Sequence, residues 1–122
     1  MSIPSQPAFD YARLEQELGK DSTQTLAQMF LDDTRDVLTN LNELVEQNDA
    51  DRLRKLVHML KGGCRSIIAL SSERFCENLE ESAAQADWPA IRAGIDALGP
   101  LYACLTQDIV SYLKTIDRAK AE

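Results

Sequence analysis

A chain of 122 residues with 44 % hydrophobic and 27 % charged residues has the length of one domain and the composition of a soluble globular protein. Its net charge of −7 excludes nucleic acid as a natural partner. No charged leader with an apolar run marks a signal peptide and no stretch approaches a membrane span, so a cytoplasmic protein is expected.

Valine and aromatic residues are sparse, whereas Leu, Ala, Glu, Gln and Asp abound, which favours helices over sheet. Residues 1–8, with two prolines and little to bury, read as a flexible tail. Phe9 to Leu18 forms a short helix capped by Asp10 and ended by Gly19. Asp21 or Ser22 then caps one long helix, with Gln24 reaching back and a stripe of Leu26, Phe30, Val37, Leu41, Leu44 and Val45. Asp49 caps the next helix, which runs to about Ala69. Ser71 and Ser72 divide it from a fourth that buries Phe75, Leu79, Ala83 and Ala86.

Asp87 caps the last helix, where Pro89 is tolerated in the first turn. Gly99–Pro100 must kink or interrupt it, because Pro100 cannot donate to residue 96. Its stripe runs from Trp88 through Ile91, Ile95, Leu98, Leu105, Ile109 and Tyr112 to Ile116, and residues 117–122 are a solvated tail. The expected fold is all-α: an antiparallel up-down four-helix bundle over residues 9–116 with a short extra N-terminal helix, monomeric in solution. Cys64, Cys76 and Cys104 are odd in number and lack metal-type spacing, so they read as small buried residues in a reducing compartment.

The third of these helices carries the unusual features. Leu53, Leu56, Val57, Leu60 and Cys64 make one buried stripe, and His58 lies about 100° off it, toward solvent. Residues 51–70 hold Arg52, Arg54, Lys55, Lys61 and Arg65 against Asp51 alone, a basic island in an acidic chain. Gly62 and Gly63 follow within the helix, at roughly 0.5–1 kcal/mol each relative to alanine. Gly62 lies one turn beyond His58 on the same face and bares the imidazole; Gly63 points elsewhere, as a helix-crossing glycine would.

His58, Leu60, Lys61 and Gly62 read as His-x-Leu-Lys-Gly, which resembles the signature of histidine phosphotransfer (HPt) domains. The resemblance extends upstream through FDYARLEQELGKD and LAQMFLDDTRDVLTNL and downstream through FCENLEESA, covering roughly residues 9–113. Two positions depart from the family pattern: Ile68 stands where a glycine is usual, and Ser72 where a leucine is usual. Both bear on the turn after the His58 helix.

Imidazole is a nucleophile near neutral pH and can hold a phosphoryl group on nitrogen. Such a carrier needs one exposed nitrogen, nearby positive charge and open approach, which His58, Lys61 and Gly62 supply. The flexible, exposed ammonium of Lys61 can follow the phosphoryl group. The resemblance places Glu80 where a neighbouring-helix side chain orients the imidazole. It further implies that His58 accepts the phosphoryl group from a receiver-domain aspartate and passes it to another receiver, of response regulators or a hybrid sensor kinase. Mg²⁺ would come with the receiver, and the chain itself binds no cofactor. Apolar docking residues around His58 are Met59, then Leu14, Leu18, Leu26 and Met29, with Arg54, Lys55 and Arg65 as charged aids. There is no nucleotide loop, kinase signature or metal cluster, so the chain is a phosphocarrier and not an enzyme acting on ATP. Two rivals stand beside this reading: a helical interaction module that carries no phosphate, and a hydrolase using His58 as general base, for which no second catalytic partner is visible.

Overall fold

Six helices follow one another with hardly a loop between them in the computed structural model, which describes residues 8–121. They are α1 (Tyr11–Leu18), α2 (Lys20–Asp33), α3 (Val37–Glu46), α4 (Ala50–Ser66), α5 (Leu70–Ala84) and α6 (Trp88–Ala121). The expected N-terminal tail falls outside the described residues except for Ala8, whose N–H donates to Asp108 Oδ2 at 2.6 Å.

α2 and α3 together form the first long member of the bundle, and α4, α5 and α6 complete it. α4 packs most extensively on α5, α5 also packs on α6, α6 meets α2 and α3, and α3 returns to α4, closing the ring. The core is continuous from Leu14 and Phe30 through Leu53, Val57 and Leu60 to Ile91, Leu105 and Ile109. α1 is fastened across α6 by an aromatic cluster of Phe9, Tyr11 and Tyr112, with the Tyr112 hydroxyl donating to Glu15 at 2.9 Å.

The turns α3–α4, α4–α5 and α5–α6 share one design. In each a single residue takes a left-handed backbone: Asn48 (φ 54°), Ile68 (φ 54°) and Ala86 (φ 51°). The next N–H then reaches back five residues, Asp49 to Leu44, Ala69 to Cys64 and Asp87 to Ser82, at 2.8–3.0 Å. These are Schellman caps, which satisfy the last carbonyls of one helix while starting the next. Asp49 and Asp87 also act as the expected N-caps, accepting from the backbone N–H of Arg52 and Ala90.

Several expectations need correction. The long second helix is broken at Thr34–Asp36, where the Thr34 hydroxyl bonds the Phe30 carbonyl and meets the Tyr102 hydroxyl, which also donates to the Thr34 carbonyl. That tie comes from α6, 68 residues away, so no local pattern announces it. α2 starts at Lys20 directly after Gly19 (φ 85°), with no side-chain cap from Asp21 or Ser22. α4 ends at Ser66 and α5 begins at Leu70, ahead of the two serines. α6 is not interrupted at Pro100, which is exposed, as is Asp96, so water can take up the carbonyl that the proline leaves unbonded. It also extends through residues 117–121, where Asp117 and Arg118 are exposed. Ala86 and Cys104 are exposed, whereas Cys64 and Cys76 are buried. No described helix is long and apolar enough to cross a membrane.

Candidate functional site

α4 turns its apolar stripe inward: Leu53, Val57, Leu60 and Cys64 are buried and Leu56 half-buried. The rotation that buries Val57 carries the His58 side chain out, where it is 65 % exposed. α5 lies antiparallel beside α4 and brings Glu80 against it. Glu80 Oε1 is 2.8 Å from His58 Nδ1, and Oε2 is 2.7 Å from the Lys61 ammonium. With a carboxylate as its neighbour, Nδ1 is the nitrogen placed to donate, so the neutral form of the ring that this contact favours has its bare nitrogen at Nε2.

Lys61 therefore differs from its reading as a free, exposed lysine. Its side chain is 16 % exposed and that of Glu80 18 %, so the pair is largely withdrawn from water while the imidazole is not. The Lys61 ammonium, and after it the bond from His58, hold the Glu80 carboxyl below its usual range, against the opposing effect of burial. One carboxylate thus serves two neighbours.

The glycines divide as the sequence suggests. A Cβ built on Gly62 meets nothing within 4 Å, so its position is open space beside His58. One on Gly63 would lie 3.2 and 3.3 Å from the Phe30 ring, marking the close approach of α2 to α4.

The basic residues around His58 are engaged with acids of their own. Arg54 and Lys55 both pair with Asp51, at 3.4 and 3.2 Å, and lower its pKa, Lys55 having the larger effect. Arg65 pairs with Glu73 at 2.7 Å, which raises the guanidinium pKa. The three cations lie in water, where such pairs contribute little, so the pairs do not fix the arginines in place.

Of the apolar residues read as a docking surface, Met59, Met29 and Leu18 are exposed at 48, 50 and 48 %. Leu26 is half-buried, and together with Met29, Met59, Phe30 and Ile67 it lines a groove of about 330 Å³ between α2 and α4. Leu14 is 2 % exposed and is a core residue, because α1 turns it into the hydrophobic cluster. A second groove of about 330 Å³ opens on the other side, lined by Arg54, Lys61, Glu77, Glu80 and Glu81. Glu77 and Glu81 were not singled out from sequence, although Glu77 lies three residues before Glu80 and four before Glu81, a spacing that puts it beside both on α5.

Two comparisons bear on this geometry. The family model of the Hpt domain matches residues 25–118, from the first turns of α2 into the last of α6. The chain belongs to the Hpt domain family. The fold resembles the crystal structure of histidine-containing phosphotransfer protein B from Pseudomonas aeruginosa PAO1, with a TM-score of 0.81 and 25 % identity over 91 % of this chain and 98 % of that one. No curated protein matches the chain. Hpt proteins are phosphocarriers of phosphorelays that work with receiver domains, not kinases. His58, Lys61, Gly62 and Glu80 all fall inside the matched span.

Proposed function

We propose that His58 carries the phosphoryl group, on Nε2. The observation that supports this most directly is an imidazole 65 % exposed whose Nδ1 is bonded to a carboxylate at 2.8 Å. Nε2 attacks the phosphorus of a receiver's aspartyl phosphate in line, and the aspartate carboxylate departs. The ring becomes a cation, and Glu80 is already placed against its Nδ1–H. Gly62 keeps the approach clear, and the Lys61 ammonium, one turn away on Glu80, supplies positive charge for the phosphoryl oxygens. Reversal toward a second receiver uses the same groups.

Receivers of response regulators and of a hybrid sensor kinase are the partners in this reading. They dock over Met59, Met29 and Leu18, and bring the Mg²⁺ their own aspartate requires. The chain acts as a cytoplasmic monomer with no ATP chemistry of its own.

Incubation with a phosphorylated receiver tests the site. The chain should acquire an acid-labile, base-stable label, and His58→Gln should acquire none. Label retained by His58→Gln would show that another residue carries the phosphoryl group.

A further inference from the structure

One wall of the groove between α2 and α4 is held by α6, although no described residue of α6 lines it. Met29, Phe30, Asp33 and Thr34 of α2 line the groove together with Met59 and Gly63 of α4. These α2 residues are the last before the chain breaks at Thr34–Asp36 and turns into α3. Nothing local makes that break. No glycine or proline lies between Lys20 and Glu46, and the apolar stripe runs on through it. By its own propensity this stretch would continue as one helix.

What holds the break is Tyr102. Its phenol donates to the Thr34 carbonyl at 2.8 Å and lies 2.7 Å from the Thr34 hydroxyl. That carbonyl also accepts from the N–H of Val37, three residues on, where a continuing α-helix would offer Leu38, four residues on. The Thr34 hydroxyl in turn donates to the Phe30 carbonyl at 2.7 Å. Thr34 is buried, so its oxygens depend on donors from within the protein. The Tyr102 ring also packs against Phe30, with centroids 6.5 Å apart. Phe30 abuts Gly63, where an added Cβ would lie 3.2 Å from the ring. Tyr102 thus fixes the end of α2 and, through Phe30, its spacing from the His58 helix.

Resting on the reading that receivers dock over Met29 and Met59, we propose that Tyr102 is a positioning residue for receiver docking. Its hydroxyl keeps α2 and α3 apart and so holds Met29 and Asp33 in place beside Met59. Without it the end of α2 is free to rewind toward α3, which displaces those residues relative to α4. A receiver then meets a surface that is in its binding arrangement only part of the time, and its apparent affinity falls by that fraction. His58 is bonded from α5 and touches none of these groups, so the chemistry of the acceptor is separate from the docking that Tyr102 supports.

The test splits docking from chemistry. A receiver is phosphorylated with acetyl phosphate and freed of it, and transfer is measured over a range of receiver concentrations for wild type, Tyr102→Phe, Thr34→Ser and Thr34→Val. Labelling by phosphoramidate is measured beside it. That small donor passes its phosphoryl group to Nε2 with loss of ammonia and needs no docking surface. Tyr102→Phe keeps the ring and loses only the hydroxyl. It should raise KM for the receiver about three- to tenfold, the contribution of one hydrogen bond, with the maximal rate and phosphoramidate labelling within about twofold of wild type. Thr34→Val should raise KM in the same direction, and Thr34→Ser, which keeps both oxygens, should retain the wild-type value. An unchanged KM in Tyr102→Phe, with or without a lower urea midpoint, would make Tyr102 a structural residue only and overturn the proposal, leaving His58 as carrier. A fall in phosphoramidate labelling that matches the fall in receiver transfer would overturn it too. Receiver-dependent label retained by His58→Gln would overturn the carrier reading and this proposal with it.

Discussion

Adjacent glycines on one helix should respond to the same substitution with opposite signs. At Gly62 an added Cβ enters open space, so Gly62→Ala gains helix propensity without a clash, about 0.5–1 kcal/mol. With a urea m-value of ~1.7 kcal/mol/M, the midpoint should rise by about 0.3–0.6 M. Gly63→Ala gains the same propensity but drives its methyl to 3.2 Å from Phe30, whose ring is 4 % exposed and packed toward Tyr102. Overpacking of this kind costs about 1–3 kcal/mol, so Gly63→Ala should be less stable than wild type, by up to ~2 kcal/mol. Gly62→Gln adds the functional half of the test. It should fold as well as wild type yet transfer phosphoryl groups more slowly, because its side chain covers the imidazole one turn away. Urea denaturation of the three variants, run beside a receiver-transfer assay, reads all of these effects. A destabilised Gly62→Ala, or a Gly62→Gln that transfers at the wild-type rate, would refute the argument that Gly62 exists for access.

The left-handed turn residues offer a second set of outcomes. Ala86 is exposed, so Ala86→Gly should relieve about 1–2 kcal/mol of backbone strain at the expense of glycine's larger chain entropy, a net gain of about 0.5–1 kcal/mol in denaturation experiments. Ile68→Gly relieves the same strain but gives up half-buried contacts with the core worth about 1 kcal/mol, so its stability should change by less than ~1 kcal/mol; a loss well beyond that would show that the side chain outweighs the strain. Met29→Glu and Met59→Glu should leave the thermal transition nearly unchanged and weaken receiver-dependent labelling, whereas Leu14→Glu should unfold the protein. The Glu80 carboxyl is held below its usual range, so its contribution to stability is complete above the unfolded-state value of ~4.3 and disappears as pH falls through the lower folded value. Glu80→Gln should accordingly flatten the acid limb of the stability curve below about pH 4.5, and an unchanged limb would contradict the ion pair with Lys61.

The bundle was legible in the sequence because each long helix carries its own apolar period, and Asp10, Asp49 and Asp87 stand where caps were expected. His58 was legible for the same reason: a residue next to Val57 cannot share its face. What escaped is set by contacts between distant elements. Thr34 breaks the second helix because Tyr102 reaches it, and Lys61 is withdrawn from solvent because Glu80 takes its ammonium. The three Schellman turns escaped for another reason. Only Asn48 belongs to a residue type that enters the left-handed region readily, whereas Ile68 and Ala86 are carried there by the hydrogen bonds on either side.

That last point also explains one of the departures from the family pattern. The glycine usual at the position of Ile68 suits a backbone with φ near +54°, and here the conformation persists without it. Three bonds hold it: Ile68 N–H to Arg65, Ala69 N–H to Cys64, and Asp10 N–H to the Ile68 carbonyl, the last from the segment that leads into α1. Ile68 itself is half-buried against the core, an apolar contact that a glycine could not make. The strain is therefore offset by contacts beyond the turn, and the geometry it preserves is the antiparallel register of α4 and α5. That register sets Glu80 opposite both His58 and Lys61, and Glu73 opposite Arg65. A slip of one residue would rotate Glu80 by about 100° away from the imidazole. The turn at Ile68, which is part of none of these contacts, is thus one of the features on which the proposed phosphoacceptor site depends.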